Sequence, residues 1–204
     1  MPRESRSISW LYFIIPVLLF VGAGCSSTSM TKSWRYPETG PLEFDRVMAI
    51  VLVQDPLLRR LGENALVRQI VAAEAVASYR SVPEEDLGDE AKVRERIAAS
   101  GVDGVVVMRL VYDENEVTYN AGTYPGPYYS FWGYYSWAYP IAYQPGYLQT
   151  DRLVGIETNV YDVETGKLVW SGLSRTKNPN DVDKLVAETA KAVRSEMKKY
   201  GFLR

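Results

Sequence analysis

Few residues in this 204-residue chain could do chemistry. The absence of histidine excludes Ser-His and Cys-His nucleophilic sites, a histidine general base and a histidine-ligated metal. Carboxylates remain. Asp113, Glu114 and Glu116 cluster where a strand is expected to leave the core, and Glu157 is placed to pair across from them. Two facing carboxylates are the minimum for glycosidase-type acid–base work. Charged residues at a strand end far more often stay solvated or protect a sheet edge. The expectation is therefore a protein that is not an enzyme, with a carboxylate-dependent glycan hydrolase as the enzymatic alternative. Arg59, Arg60 and Glu63 form a second polar group early in a helix, expected as a surface ion pair worth little in stability. Gly101 and Gly104 flank a helix-to-strand turn, the wrong direction for a helix N-terminus to cradle a phosphate. No cofactor and no metal are expected.

The single cysteine, Cys25, has a clearer role. Arg3 and Arg6 precede an apolar run from Ile8 to Val21, and small residues Gly22, Ala23 and Gly24 lead into Cys25. This is the three-part layout of a secretory signal; as a membrane span the run falls short of about 20 residues and Pro16 interrupts it. An unpaired thiol in an exported chain points to modification. Gly22-Ala23-Gly24-Cys25 resembles the lipobox of bacterial lipoproteins, with Gly22 standing where leucine is favoured. The resemblance implies cleavage of residues 1–24 and fatty acyl chains such as palmitate on Cys25. At about 0.8 kcal/mol per buried methylene, three chains anchor the protein permanently. Ser26, in place of aspartate, implies by the same resemblance the outer membrane, facing the periplasm. Residues 25–40, rich in Ser, Thr, Lys and Pro, are expected to be a flexible tether.

Residues 41–204 are long enough for one domain with its own core. With 23 Lys and Arg against 25 Asp and Glu, there is no basic stripe for a nucleic-acid partner. The oddest stretch is 119–149, where Tyr124, Tyr128, Tyr129, Phe131, Trp132, Tyr134, Tyr135, Trp137, Tyr139, Tyr143 and Tyr147 are spaced by glycine and proline. That density argues against a regular helix or central strand, and Pro125, Pro127, Pro140 and Pro145 argue against a membrane-crossing hairpin. The expectation is a long loop. Its candidate contact residues are Tyr124, Tyr128, Tyr129, Trp132, Tyr134, Tyr135, Trp137 and Tyr139. Their large, low-entropy rings suit a protein, a glycan or the lipid headgroup layer, or the subunits of an oligomer. A lid over the sheet or a disordered insertion is the plainer alternative.

Around these residues the hydrophobic pattern predicts the framework. Phe44–Val53 and Val105–Tyr112 are continuous apolar runs suited to strands covered on both faces. Leu58, Leu61, Ala65, Leu66, Ile70, Ala73 and Ala77 predict the inner stripe of a first helix after Asp55-Pro56. Ser78–Val82 is a candidate short edge strand. A second helix should turn Val93 and Ile97 inward and end at Gly101. Leu153–Val163 alternates, with Val154, Ile156, Thr158 and Val160 on one face, and Gly166 turns it into Lys167–Ser174. A last helix, begun near Asn180, carries the stripe Val182, Leu185, Val186, Thr189, Val193 and Met197. The order predicts an α/β open sandwich: a mixed sheet of four to five strands with about three helices mainly on one face.

On Gly101-Val102-Asp103-Gly104-Val105-Val106-Val107, Glu157-Thr158 and Tyr161–Ser171, the chain resembles a family of Gram-negative envelope lipoproteins of unassigned function. More faintly, its layout is similar to the N-terminal domain of the Tol-system translocation protein and the α/β core of the curli secretion lipoprotein. These likenesses imply a lipid-anchored envelope protein acting in assembly or maintenance, or an oligomeric accessory of a secretion or surface-structure system.

Overall fold

The computed structural model describes residues 28–37, 39–120, 130–142 and 147–203, with the backbone alone at Tyr119 and over 137–142. The elements are β1 (Thr28–Arg35), β2 (Arg46–Leu52), α1 (Pro56–Gln69), β3 (Glu74–Ala77), α2 (Glu90–Ala99), β4 (Gly104–Asn120), α3 (Phe131–Ala142), β5 (Tyr147–Asp162), β6 (Leu168–Lys177) and α4 (Val182–Lys199). One six-stranded sheet runs in the order β1-β6-β5-β4-β2-β3. β2 is parallel to β3 and β4, and the remaining neighbours are antiparallel. The expected α/β layout with a mixed sheet is present, with six strands in place of four or five.

The additional strand is β1, inside the segment expected to be a tether. Its composition buries little, but an edge strand needs a partner on one side only. Here β6 supplies the ladder, while the hydroxyls of Thr28 and Ser33 donate to Glu188 and Glu196 of α4 at 3.1 Å each. Polar residues thus dock where an apolar stripe was the expected requirement. Cys25 and residues 1–24 lie outside the described residues.

Helices α1 and α4 pack together on one face, where Ala49, Met108, Val154 and Ile156 of the sheet meet Ala65 and Leu66 of α1 and Val186 and Ala190 of α4. Val160 and Trp170 continue this core toward Val193, Met197 and Phe202. The stripe read for α4 holds, and Asp181 caps the helix by accepting from the Lys184 amide at 2.7 Å. On β2, Met48 alternates with Val47 and Ala49 and so faces the other side, where it meets Val102, Val105 and Ile97 of α2.

Three expectations are corrected. In α1 the buried side is Arg59, Gly62, Glu63, Ala65 and Leu66, while Leu58 and Leu61 are exposed, and the helix ends at Gln69, so that Ala73 lies beyond it and Ala77 belongs to β3. Gly62 allows this rotation, since a Cβ there would come within 3.2 Å of the Val51 side chain. The edge strand expected at 78–82 is β3, four residues earlier, and Ser78–Arg80 form a 3₁₀ turn. Finally, the aromatic stretch holds α3. The proline count over the whole segment hid the twelve proline-free residues between Pro127 and Pro140, enough for about three turns. Ser130 starts the helix by accepting from the Gly133 amide at 3.1 Å, and Pro140 falls in its last turn, where its lost amide removes a single bond.

At two of the turns that carry the sequence motifs, glycine is required by conformation. Gly101 follows α2 at φ 65° and Gly166 closes the β5–β6 hairpin at φ 66°, both in the left-handed region that glycine enters freely. In that hairpin Asp162 accepts from the Thr165 amide and hydroxyl at 2.7 and 2.8 Å. Asp103 accepts from the amides of Asp45 and Arg46 at 2.7 and 2.9 Å. The Gly101–Gly104 and Tyr161–Ser171 motifs therefore serve strand ends and a turn.

Candidate functional site

Strands β4 and β5 outrun their neighbours. The pairing with β2 ends at Arg109, and that with β6 ends at Leu153, yet β4 and β5 remain paired as far as Asn120 and Tyr147. The result is a two-stranded arm projecting from the sheet, with α3 in the connection at its tip. A lone two-stranded ribbon is marginal in water.

Ion pairs lace the base of the arm. Arg109 donates to Glu157 at 2.9 Å, directly opposite in the ladder. Arg152 grips Asp113 with two bonds of 2.7 and 2.5 Å, and Arg175 reaches Glu116 at 2.9 Å. Asp151 is nearly buried and accepts from Lys177 at 2.6 Å, Asn178 at 2.8 Å and Gln149 at 3.1 Å. The Lys177 bond foremost, then Asn178 and Gln149, holds its pKa down at about 2. Outward of this level the chemistry changes: the 34 residues Val117–Thr150 include no Asp, Glu, Lys or Arg. Val117, Phe131, Trp132, Tyr134, Tyr135, Tyr147 and Leu148 are exposed, with Trp132 at 74%. The rings of Phe131 and Trp132 meet edge to face at 5.0 Å, and Tyr135 lies 5.9 Å from Phe131.

Of the expected contact residues, Trp132, Tyr134 and Tyr135 therefore sit together on α3. Trp137 and Tyr139 belong to the same helix by backbone, and Tyr124, Tyr128 and Tyr129 lie outside the described residues, as does Cys25. The candidate carboxylates do not form an acid–base pair. By the strand alternation Glu114, Glu116 and Glu157 share a face and Asp113 lies on the other, and three of the four are tied to arginines. The guanidinium of Arg152 lowers the Asp113 pKa, the opposite of what a general acid requires. Among the described residues no group of three or more potential ligands could hold a metal.

The second polar group is misread by pattern alone. Arg59 and Glu63 are 2% and 0% exposed and joined at 3.0 Å. Glu63 also accepts from the Ser78 hydroxyl at 2.6 Å and the Tyr79 amide at 2.8 Å, and Arg59 donates to Ser78 at 2.8 Å and to the Val82 carbonyl at 3.0 Å. This pair bolts α1 to the turn after β3. The only signal in the sequence was its i, i+4 spacing, which solvent-exposed pairs share. A cavity of about 330 Å³ between α1, α4 and the sheet has mainly apolar walls, among them Leu66, Val106, Met108 and Val193, and its lining includes no carboxylate.

These features define a small α/β protein with a mixed sheet, a helical layer on one face and an uncharged aromatic arm. No protein-family model and no curated protein matches the chain. Among solved structures it is similar in layout to a point variant of the PelC dodecamer from Paraburkholderia phytofirmans, at a TM-score of 0.45 and 12% identity over 83% of this chain and 96% of that one. It is likewise similar to lipoprotein GNA1162 from Neisseria meningitidis, at a TM-score of 0.39 and 12% identity over 76% of this chain and 99% of that one. Both likenesses are distant.

Proposed function

We propose that this chain is a lipid-anchored, non-enzymatic protein of the cell envelope, held by Cys25 at the periplasmic face of the outer membrane, that uses its aromatic arm as a contact surface in envelope assembly or maintenance. The observation that carries the reading is the arm itself. A protein does not expose Phe131, Trp132, Tyr134 and Tyr135 together on one short uncharged helix without a solubility cost, and such surfaces mark contact sites. The arginine-bound state of Asp113, Glu116 and Glu157 supports a role without catalysis, and the signal-like residues 1–24 support export.

In-cell cross-linking tests this, comparing the full chain with a variant carrying serine at Phe131, Trp132, Tyr134 and Tyr135. Cross-linked species should form with the parent and vanish with the variant. Identical species in both would remove the arm from the function. Adducts between copies of the chain would favour the oligomeric accessory reading. Separately, Cys25→Ser should abolish acylation and membrane attachment; persistence of a lipid-labelled mature form would sink the anchor.

A further inference from the structure

We infer that the surface met by the aromatic arm is the lipid headgroup layer of the membrane to which the chain is anchored, and that the arm holds the domain upright on it. This rests on the reading of Cys25 as the lipid attachment site, and it follows from strand direction.

β1 and β5 are both antiparallel to β6 and so run the same way, each starting at the end of the sheet from which the arm projects. Thr28, the first residue of β1, is level with Thr176 and through it with Val154. Cys25 is three residues before Thr28, a reach of at most about 10 Å. Three steps back along the parallel β5 is Asp151, the last charged rung before the uncharged stretch. Three residues therefore cannot carry Cys25 outward past the level of Asp151, where the ion pairs of the arm stop. From there the arm continues for four more residues to Tyr147, about 13 Å at 3.3 Å per residue. The headgroup layer is about 5–8 Å thick on each side of the hydrocarbon, so the arm is long enough to cross it and bring its tip to the edge of the acyl chains.

The acyl chains and the aromatic tip thus lie at one end of the molecule, and the tip extends farther than the anchor. Water-requiring groups, Asp113 with Arg152, Glu116 with Arg175 and Asp151 with Lys177, form a line beyond which Val117, Tyr147 and Leu148 are exposed, and the chain that joins the two strands at the tip carries the exposed rings of α3. Tyrosine and tryptophan favour this interface because a ring can be apolar on its body and wet at its edge. Lipid alone would leave the domain free to pivot about Cys25; a second contact at the same end removes that freedom.

The chain offers its own probe chemistry. Cys25 is its only cysteine, and acylation consumes that thiol, so a cysteine introduced elsewhere takes a nitroxide label specifically. The acylated full chain is reconstituted in vesicles of phosphatidylethanolamine and phosphatidylglycerol, carrying Trp132→Cys or, on α2 at the far end of the sheet, Glu95→Cys. The expected result is inversion: the label at 132 collides more with oxygen than with a water-soluble nickel chelate, and the label at 95 does the reverse. A label at 132 as water-accessible as that at 95, on a chain whose mass shows the acyl groups, overturns the inference and leaves the anchor standing. A label at 132 that is shielded only after a protein partner is added also overturns it, in favour of a protein contact. A chain that carries no acyl groups overturns the anchor and the inference together.

Discussion

At the residue scale the decisive groups are charged side chains whose surroundings, not their types, set their roles. Glu63 gathers Arg59, Ser78 and the Tyr79 amide with no exposure to solvent. Removing one member of such a pair strands the other in a low-dielectric site. Glu63→Ala should therefore destabilise the fold by about 3–5 kcal/mol in urea unfolding, whereas replacing Arg59 and Glu63 together by methionine and leucine should recover most of that loss. Asp151 gives a pH signature. Its folded pKa lies at about 2, below its ordinary 3.8, so the folded state favours the ionised form. The stability this contributes is complete above about pH 4 and is lost as pH falls through 2. The stability gap between the parent and Asp151→Asn should accordingly close over that window; a gap that is constant from pH 5 to about 2 would show that Asp151 contributes nothing through its charge.

At the scale of elements, close approach is the governing constraint. Tyr112 of β4 lays its ring over Gly155 of β5, where a Cβ would come within 2.2 Å of it. The pair sits just past the bulge between Leu110 and Tyr112, a feature that raises the local twist of a strand pair. Gly155→Ala should destabilise by about 1–3 kcal/mol through overpacking, and the effect should shrink in a Tyr112→Ala background, a coupling that a double-mutant cycle measures. The same logic explains which elements were legible beforehand. α4 was read correctly because its stripe is apolar and continuous, as were the alternating face of β5 and the glycine turns. The inner face of α1 was misplaced because its centre is an ion pair on a glycine-thinned helix. β1 was missed because its docking is by hydroxyls on Glu188 and Glu196, which composition reads as solvated.

For the whole molecule, stability and contact are separable. Phe131 and Trp132 are exposed and their rings meet each other and Tyr135, so serine at these two positions should leave the unfolding free energy within about 0.5 kcal/mol per site while weakening the arm's cross-links; a large loss of stability would mean that the rings support the fold. Legible along the chain were the layers, from apolar periods that alternate between helix and strand, the exclusion of histidine chemistry, and the uncharged aromatic segment. Those are local properties, set by residue type and by steps of two or 3.6 along the chain. Register and strand order, in turn, bury Arg59 and Glu63, set three of the four candidate carboxylates against arginines, and start β1 at the same end of the sheet as the aromatic arm. Each of these depends on strand order, direction and register, which pair residues far apart in the chain and which no local period records.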